Sequence, residues 1–130
     1  MKPIIFLLFF AYLLSACQEM EGIDMSQLSP EEKKAVESLL WVKDADPNKR
    51  AAQALEKGDK RLMAMASRST SIPGIQPELL SKAKSICGIR YLEGSTDTVF
   101  GETHLLLIQR AAEYAATYNK IVVQQCMQTQ

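Results

Sequence analysis

The sequence predicts an α+β fold rich in helix, with two N-terminal helices, a small strand-helix-strand unit and a long C-terminal helix. Three observations predict this fold. Two segments that open with proline have helical signals, two short apolar runs flank a third helical segment, and the last part of the chain carries apolar residues at helical spacing. A small three-stranded α/β sheet is the alternative, because a third strand would form if the chain left the last helix near Asn119.

The two N-terminal helices are predicted from their start signals. Ser29-Pro30 and Asp46-Pro47 each offer an N-cap followed by a proline at the first helical position. Glu32 is placed for a capping box in the first helix, and Gly58 is a suitable end for the second. Trp41 lies between the two segments, so we expect it to pack them together.

The middle of the chain contains two apolar runs, 61–67 and 89–92, which favour strands. A helix is the alternative for the first run, because Leu, Met and Ala also favour helices. Between the two runs a helix is predicted, beginning at Pro77 and ending at Gly88. Two strands joined through a helix in one sheet form a parallel crossover. A two-stranded parallel sheet is marginal alone, so the surrounding helices must supply the core.

The last helix is predicted from about Thr103 to at least Tyr118. If Asn119 ended it, the β-branched residues 121–123 would form a third strand; we favour continuation to Cys126. The expected buried face comprises Leu105, Ile108, Ala112 and Ala115.

The first residues are typical of a secretory signal peptide. Met1-Lys2 is followed by an uncharged apolar run of about a dozen residues, shorter than the about 20 that a membrane-spanning helix needs. Leu14-Ser15-Ala16-Cys17 then resembles the lipobox of bacterial lipoproteins, in which the cysteine is lipidated and becomes the first residue after cleavage. An ordinary signal peptide that ends near a cysteine, or a buried helix, is the alternative.

The lipobox resemblance implies a division into signal peptide (1–16), lipidated tether (17–28) and one globular domain (29–130). The domain is loosely similar to small uncharacterised lipoproteins of Gram-negative bacteria. That similarity lies in Gly58-Asp59, Pro73-Gly74 and the stretch from Cys87-Gly88 to Tyr118-Asn119. It implies no known activity.

The resemblance also implies a membrane anchor on Cys17, made of a diacylglyceryl group and an amide-linked acyl chain such as palmitate. Two chains suffice for stable anchoring, so this anchor would hold the protein firmly. Gln18 and Glu19 follow, and neither is the aspartate that often retains such proteins at the inner membrane. We therefore expect a cell-envelope location, at the outer membrane facing the periplasm.

Once Cys17 is assigned to lipid, Cys87 and Cys126 remain as an even pair in an oxidising compartment, which predicts a disulfide. Closing a loop of roughly 40 residues would stabilise the fold by about 4 kcal/mol. A thiol nucleophile or metal ligand is the alternative. It has little support, because the chain has no Cys-x-x-Cys motif and a single histidine.

Composition and motifs argue against several classes of function for this chain. The chain has 15 basic and 15 acidic residues, and removing Lys2 with the signal peptide leaves 14 basic against 15 acidic, with no basic block for nucleic acid. There is no Gly-x-Ser-x-Gly elbow, no phosphate-binding glycine loop and no zinc-ligand spacing. We therefore expect no cofactor and no metal, and we consider an enzyme the less favoured class.

A ligand site is predicted at the loops 68–74 and 93–97, because ligands bind beyond the carboxyl ends of parallel strands. Its candidate residues are Arg68, Ser69, Thr70, Glu93, Asp97 and His104. These side chains suit an anion site, or acid-base chemistry by His104 with Asp97 in a hydrolase. The alternative is that they serve turns and helix caps.

A possible interaction stripe lies on the last helix, where Arg110, Tyr114 and Tyr118 share one face. The alternative is the margin of a core, where rings pack and hydroxyls reach water. The first functional hypothesis is a non-catalytic envelope lipoprotein that binds an envelope protein or organises the envelope. The second is a domain that binds a small ligand or anion.

Overall fold

A computed structural model describes residues 22–66 and 71–128. The lipobox with Cys17, and the candidate residues 68–70, lie outside these described residues. The chain forms, in order, α1 (Pro30–Leu39), α2 (Pro47–Glu56), β1 (Leu62–Ala64), α3 (Leu80–Cys87), β2 (Ile89–Tyr91) and α4 (Glu102–Gln128). The predicted helix-rich α+β fold is confirmed.

Short 3-10 helices occupy Met25–Gln27, Leu40–Lys43 and Pro77–Leu79. The first of them belongs to the segment predicted as tether. Its neighbours Ile23 and Leu28, together with Met25, pack against the core. The folded part of the chain therefore begins before residue 29, where the domain was expected to start.

The helix starts follow the predicted caps. The hydroxyl of Ser29 accepts the backbone N–H of Glu32 at 3.2 Å. The carboxylate of Asp46 accepts the N–H groups of Asn48 at 2.9 Å and Lys49 at 3.4 Å. Each cap satisfies backbone donors that have no partner within the helix, which explains why α1 and α2 begin where they do.

The sheet consists of β1 and β2, which pair in parallel with Leu62 opposite Ile89 and Ala64 opposite Tyr91. The connection runs through α3, as the predicted crossover requires. Both strands are shorter than the apolar runs 61–67 and 89–92.

The alternative with a third strand is wrong, because α4 continues through residues 119–128. The side chain of Asn119 occupies the free edge of β1 instead. Its Oδ1 accepts the N–H of Met63 at 2.7 Å, and its Nδ2 donates to the carbonyls of Met63 at 2.9 Å and Pro73 at 2.8 Å. One amide thus satisfies the backbone groups that a neighbouring strand would have paired.

Helix α4 is central, since it packs against α1, α2, α3 and β1. Its buried residues are His104, Leu107, Ala111, Tyr114, Ala115, Tyr118, Asn119, Val122 and Cys126. The predicted buried face is wrong at Leu105, which is exposed, and correct at Ala115. Successive residues lie about 100° apart on a helix, so only one of the three leucines 105–107 can face the core. Of the three, Leu107 is the one that faces the core.

The predicted disulfide is confirmed. Cys87 at the end of α3 is bonded to Cys126 near the end of α4, with their Cα atoms 5.6 Å apart. The bond joins positions separated by 39 residues and lies at the edge of the core.

Two glycines allow loops to approach helices closely. Gly74 has φ +81°, and a Cβ there would lie 2.6 Å from the carbonyl oxygen of Ala116 on α4. Gly94, in the turn after β2, has φ +82° and faces the carbonyl of Ser38 on α1. In both places a side chain would be strained and would collide with backbone.

Candidate functional site

Charged side chains from distant parts of the chain meet on one side of the molecule. The Nη1 and Nη2 atoms of Arg50, on α2, both contact the carboxylate of Glu93, and Nη1 lies 3.2 Å from Oε2. Arg90, on β2, contacts the same carboxylate, with Nη2 2.7 Å from Oε1. The turn after β2 therefore holds two guanidinium groups together.

Asp59 extends this cluster toward β1. Its carboxylate lies 3.0 Å from Nε of Arg61 and 3.5 Å from Nη1 of Arg90. The hydrogen bond from Arg61 lowers the pKa of Asp59, against the opposing effect of partial burial. Asp59 is therefore a carboxylate at neutral pH.

Glu93 is also held ionised. Partial burial is the largest influence and raises its pKa, but the hydrogen bonds and charges of Arg50 and Arg90 together outweigh it, so that the pKa of Glu93 lies below its ordinary value. The same hydrogen bond to Glu93 raises the pKa of Arg50. The cluster keeps its charges throughout the physiological pH range.

Aromatic rings hold Arg50 in place. Its guanidinium lies 5.7 Å from the centroid of the Trp41 ring, which is within cation-π range. Trp41 in turn meets Tyr114 edge to face, with centroids 5.2 Å apart, and its Nε1 donates to the carbonyl of Glu93 at 3.1 Å. Trp41 thus joins α2, α4 and the turn after β2, a wider role than the predicted packing of two helices.

A cavity of about 210 Å³ opens beside this cluster, and we call it the charged cavity. It is lined by Arg50, Gln53, Ala54, Lys57, Asp59, Arg90 and Tyr118. The hydroxyl of Tyr118 is buried and has no hydrogen-bond partner among the described residues. Burial raises the pKa of Tyr118, and the charges of Asp59, Arg90 and Arg50 also act on it.

The predicted ligand residues are not brought together where the structure describes them. Glu93 belongs to the charged cluster, whereas the carboxylate of Asp97 is exposed and accepts the hydroxyl of Thr98 at 3.3 Å. His104 is buried at the start of α4. Loop 93–97 contacts the chain after β1 through Ser95, whose hydroxyl accepts the N–H of Ala66 at 3.2 Å.

The contacts of His104 stabilise the start of α4. Its Nδ1 accepts the N–H of Phe100 at 3.1 Å, and its own backbone N–H donates to Oε1 of Glu32 at 3.3 Å. Glu32 therefore caps α4 from across the fold. The pairing of His104 with Asp97 that a hydrolase would need is not formed, because Nδ1 is bonded to Phe100 and Nε2 has no partner among the described residues.

The fold places the three residues of the interaction stripe, Arg110, Tyr114 and Tyr118, in different environments. Both tyrosines are buried, so their rings are part of the core. Arg110 is exposed, donates to the carbonyl of Lys43 at 3.4 Å and shares the wall of a cavity of about 230 Å³ with Tyr114. Tyr118 lies at the charged cavity instead.

A second notable region is apolar. Val99, Phe100, Leu105 and Leu106 are each between 40% and 52% exposed and lie around the start of α4; we call them the apolar surface. Phe100 also lines a groove of about 300 Å³, together with Glu31, Lys34, Ala35, Ser38 and Thr96. An exposed cluster of large apolar side chains is typical of a binding surface.

Sequence reasoning missed Arg50, Asp59 and Arg90. These residues are far apart along the chain and belong to no motif, so no local signal could have grouped them. It also missed the apolar surface, because Leu105 was assigned to the core. Tyr118 was singled out, either for an interaction stripe or for the margin of the core, and not for a cavity.

A comparison with protein-family models, with curated proteins and with solved structures finds no match to the chain. Within residues 22–66 and 71–128, no helix is both long and apolar enough to cross a membrane. The same residues contain no group of three or more His, Cys, Asp and Glu that could hold a metal ion. The proposed function therefore rests on the site residues themselves.

Proposed function

We propose that the protein is a lipid-anchored lipoprotein of the bacterial cell envelope, held at the outer membrane and facing the periplasm. The order of signals in residues 1–17 supports the anchor: a basic start, a short apolar run, small residues and Cys17. The disulfide supports an oxidising compartment. Because Ile23 packs against the core, the chain from Cys17 to Ile23 can span at most roughly 20 Å.

The folded domain acts as a non-catalytic module that binds another envelope protein. The observation that carries this proposal is the apolar surface, which leaves four large side chains in contact with water. Burying such side chains is the main favourable term in protein association.

Part of this surface also has a local role. Phe100 and Leu105 stand at the spacing of a hydrophobic staple around the start of α4, which would favour apolar residues there without any partner. Val99 and Leu106 do not have that spacing, and they are the most exposed of the four. They are therefore the residues that indicate a partner.

Shape and charge favour a protein partner over the bilayer surface. The groove beside Phe100 has room for a protruding side chain. Asp97 and Glu102 flank the apolar surface and would repel anionic lipid headgroups, whereas they would complement basic residues around an apolar anchor. The expected partner presents a large apolar side chain within a basic rim.

The anchor is tested by mass spectrometry of protein from native membranes. We expect acyl chains on the N-terminal Cys17, and a Cys17→Ser variant that is neither lipidated nor membrane-bound. Unmodified Cys17 on mature protein would contradict the proposal, as would a Cys17→Ser variant that remains lipidated.

The interaction is tested with a photo-crosslinking residue at position 105 of the lipidated protein in native membranes. We expect one discrete crosslinked protein, lost in the Val99→Gln and Leu106→Gln variants and weakened by Glu102→Lys. Leu79→Gln is the matched control, because Leu79 is 42% exposed and lies outside the apolar surface. Crosslinks to lipid, to a second copy of the chain, or equally to all variants would contradict the proposal.

A further inference from the structure

The charged cavity has no part in the proposed interaction function. We propose that it is a binding site for a phosphate group, either free or carried by a small molecule or a lipid headgroup. Three cationic side chains and one carboxylate line the cavity.

Charge favours an anion. Arg50, Lys57 and Arg90 supply three positive charges to the wall and Asp59 one negative charge, an excess of two. Glu93 and Arg61, which pair with these side chains, add one charge of each sign and leave that excess unchanged. A phosphate monoester carries about −1.5 to −2 at neutral pH, which matches this excess better than the single charge of a carboxylate.

Donor geometry also favours phosphate. The guanidinium groups come from α2 and β2 and the Tyr118 hydroxyl from α4, so donors approach the cavity from three elements. A tetrahedral oxyanion accepts bonds from several directions, which suits donors that come from three elements. Each guanidinium has five N–H donors, more than its ion pairs use, so Glu93 does not exhaust Arg50 or Arg90.

The Tyr118 hydroxyl is the independent sign of a ligand. It is buried at the cavity wall and unpartnered within the described residues, and leaving a buried hydroxyl unbonded destabilises a fold. A phosphate oxygen in the cavity would accept its hydrogen bond. The raised pKa of Tyr118 keeps the hydroxyl protonated, and therefore a donor, at neutral pH.

Size permits this ligand. The cavity volume is about 210 Å³, and a water molecule takes up about 30 Å³ in the liquid, so a group of several heavy atoms fits. Lys57, the residue that follows α2, is exposed and lines the cavity, so its charge is accessible to an anion from solvent.

The test is calorimetric titration of the full-length protein, in a neutral detergent, with inorganic phosphate at constant ionic strength. We expect saturable binding that Tyr118→Phe weakens by about tenfold or more, since a hydrogen bond to a charged group is lost. Lys57→Gln should also weaken binding. Lys49→Gln is the matched control, because it removes the same charge from α2 outside the cavity wall.

Two further titrations identify the source of the phosphate. Glycerol phosphate competing with inorganic phosphate would indicate a soluble monoester, and phosphatidic acid in the micelles competing instead would indicate a lipid phosphate monoester; either result supports the site. No saturable binding below about 10 mM would overturn it. So would equal binding of acetate, equal losses in Lys49→Gln and Lys57→Gln, or unchanged affinity in a Tyr118→Phe variant shown to be folded by circular dichroism.

Discussion

At the scale of single residues, His104 shows how burial determines the role of an ionisable side chain. The ring is fully buried, and its Nδ1 accepts the N–H of Phe100 just before α4 begins. Near a helix start, the side chain that accepts such a backbone N–H is usually a glutamate or a glutamine. Burial lowers the pKa of His104, and the nearby charge of Glu32 only partly opposes that effect. The neutral ring is therefore the form that fits the fold.

Stability should consequently fall as the pH is lowered through the ordinary histidine pKa of 6.5. The folded pKa is the lower one, so below that pH the unfolded chain binds a proton that the folded chain does not bind. The loss is at most about 1.4 kcal/mol per pH unit for one group. Urea unfolding of the wild type and a His104→Gln variant between pH 7 and pH 5 measures it.

Glutamine can still accept the N–H of Phe100 but does not titrate, so the His104→Gln variant should lack this part of the pH dependence. Carboxylates titrate in both proteins and cancel in the comparison. Parallel stability curves for the two proteins would contradict the assigned role of His104.

Tyr118 leads to a prediction about stability that is separate from ligand binding. In phosphate-free buffer, Tyr118→Phe should raise the free energy of unfolding by about 1 kcal/mol, because it removes a buried hydroxyl that has no partner among the described residues. Denaturant unfolding measures the change. Tyr91→Phe is the control, since the exposed ring of Tyr91 should leave stability within about 0.5 kcal/mol. A less stable Tyr118→Phe variant would show that the hydroxyl is bonded.

At the scale of elements, the free edge of β1 is completed by a helix side chain. Asn119 bonds both backbone groups of Met63 and also the carbonyl of Pro73. A two-stranded parallel sheet is marginal alone. The amide of Asn119 therefore fixes β1 onto α4, where a third strand was the alternative.

Asn119→Ala should lower the free energy of unfolding by roughly 3 kcal/mol, because three hydrogen bonds are lost and the buried backbone of Met63 is left unpaired. Denaturant unfolding followed by circular dichroism measures this. Lys120→Ala is the control: Lys120 is exposed on the same helix, so its substitution should change the free energy of unfolding by less than about 0.5 kcal/mol. Similar losses in both variants would show that the amide does not hold β1.

The helix caps also show which contacts a local sequence pattern can predict. Ser29 and Asp46 cap their helices as predicted, because a cap is a contact between residues that are neighbours in sequence. The carboxylate of Glu32 instead accepts the N–H of His104 at the start of α4. No pattern near Glu32 could predict that, since its partner lies 72 residues away.

At the scale of the whole molecule, the disulfide ties the end of α3 to the last turns of α4. Opening it in a Cys87→Ala/Cys126→Ala variant should lower the free energy of unfolding by about 4 kcal/mol, from the entropy of a loop of 39 residues. Chemical denaturation measures the loss. A Cys17→Ser background keeps the third cysteine out of the comparison, and it serves as the control.

A double variant as stable as that control would contradict a structural role of the bond. An unchanged free energy of unfolding of the control on adding reductant would do the same, because reduction should weaken the protein that has the disulfide.

Local sequence patterns predict the features that depend on neighbouring residues, namely the starts of α1 and α2 and the two short strands, and the even cysteine pair followed from the lipobox resemblance. Packing of the whole chain determines that α4 continues past Asn119, which leucine of 105–107 is buried, what completes β1 and where the charges meet. Arg50, Asp59, Arg90 and Tyr118 reach one cavity because α2, the sheet and α4 pack together. Their grouping is a property of packing, which depends on the whole chain, and no local pattern records it.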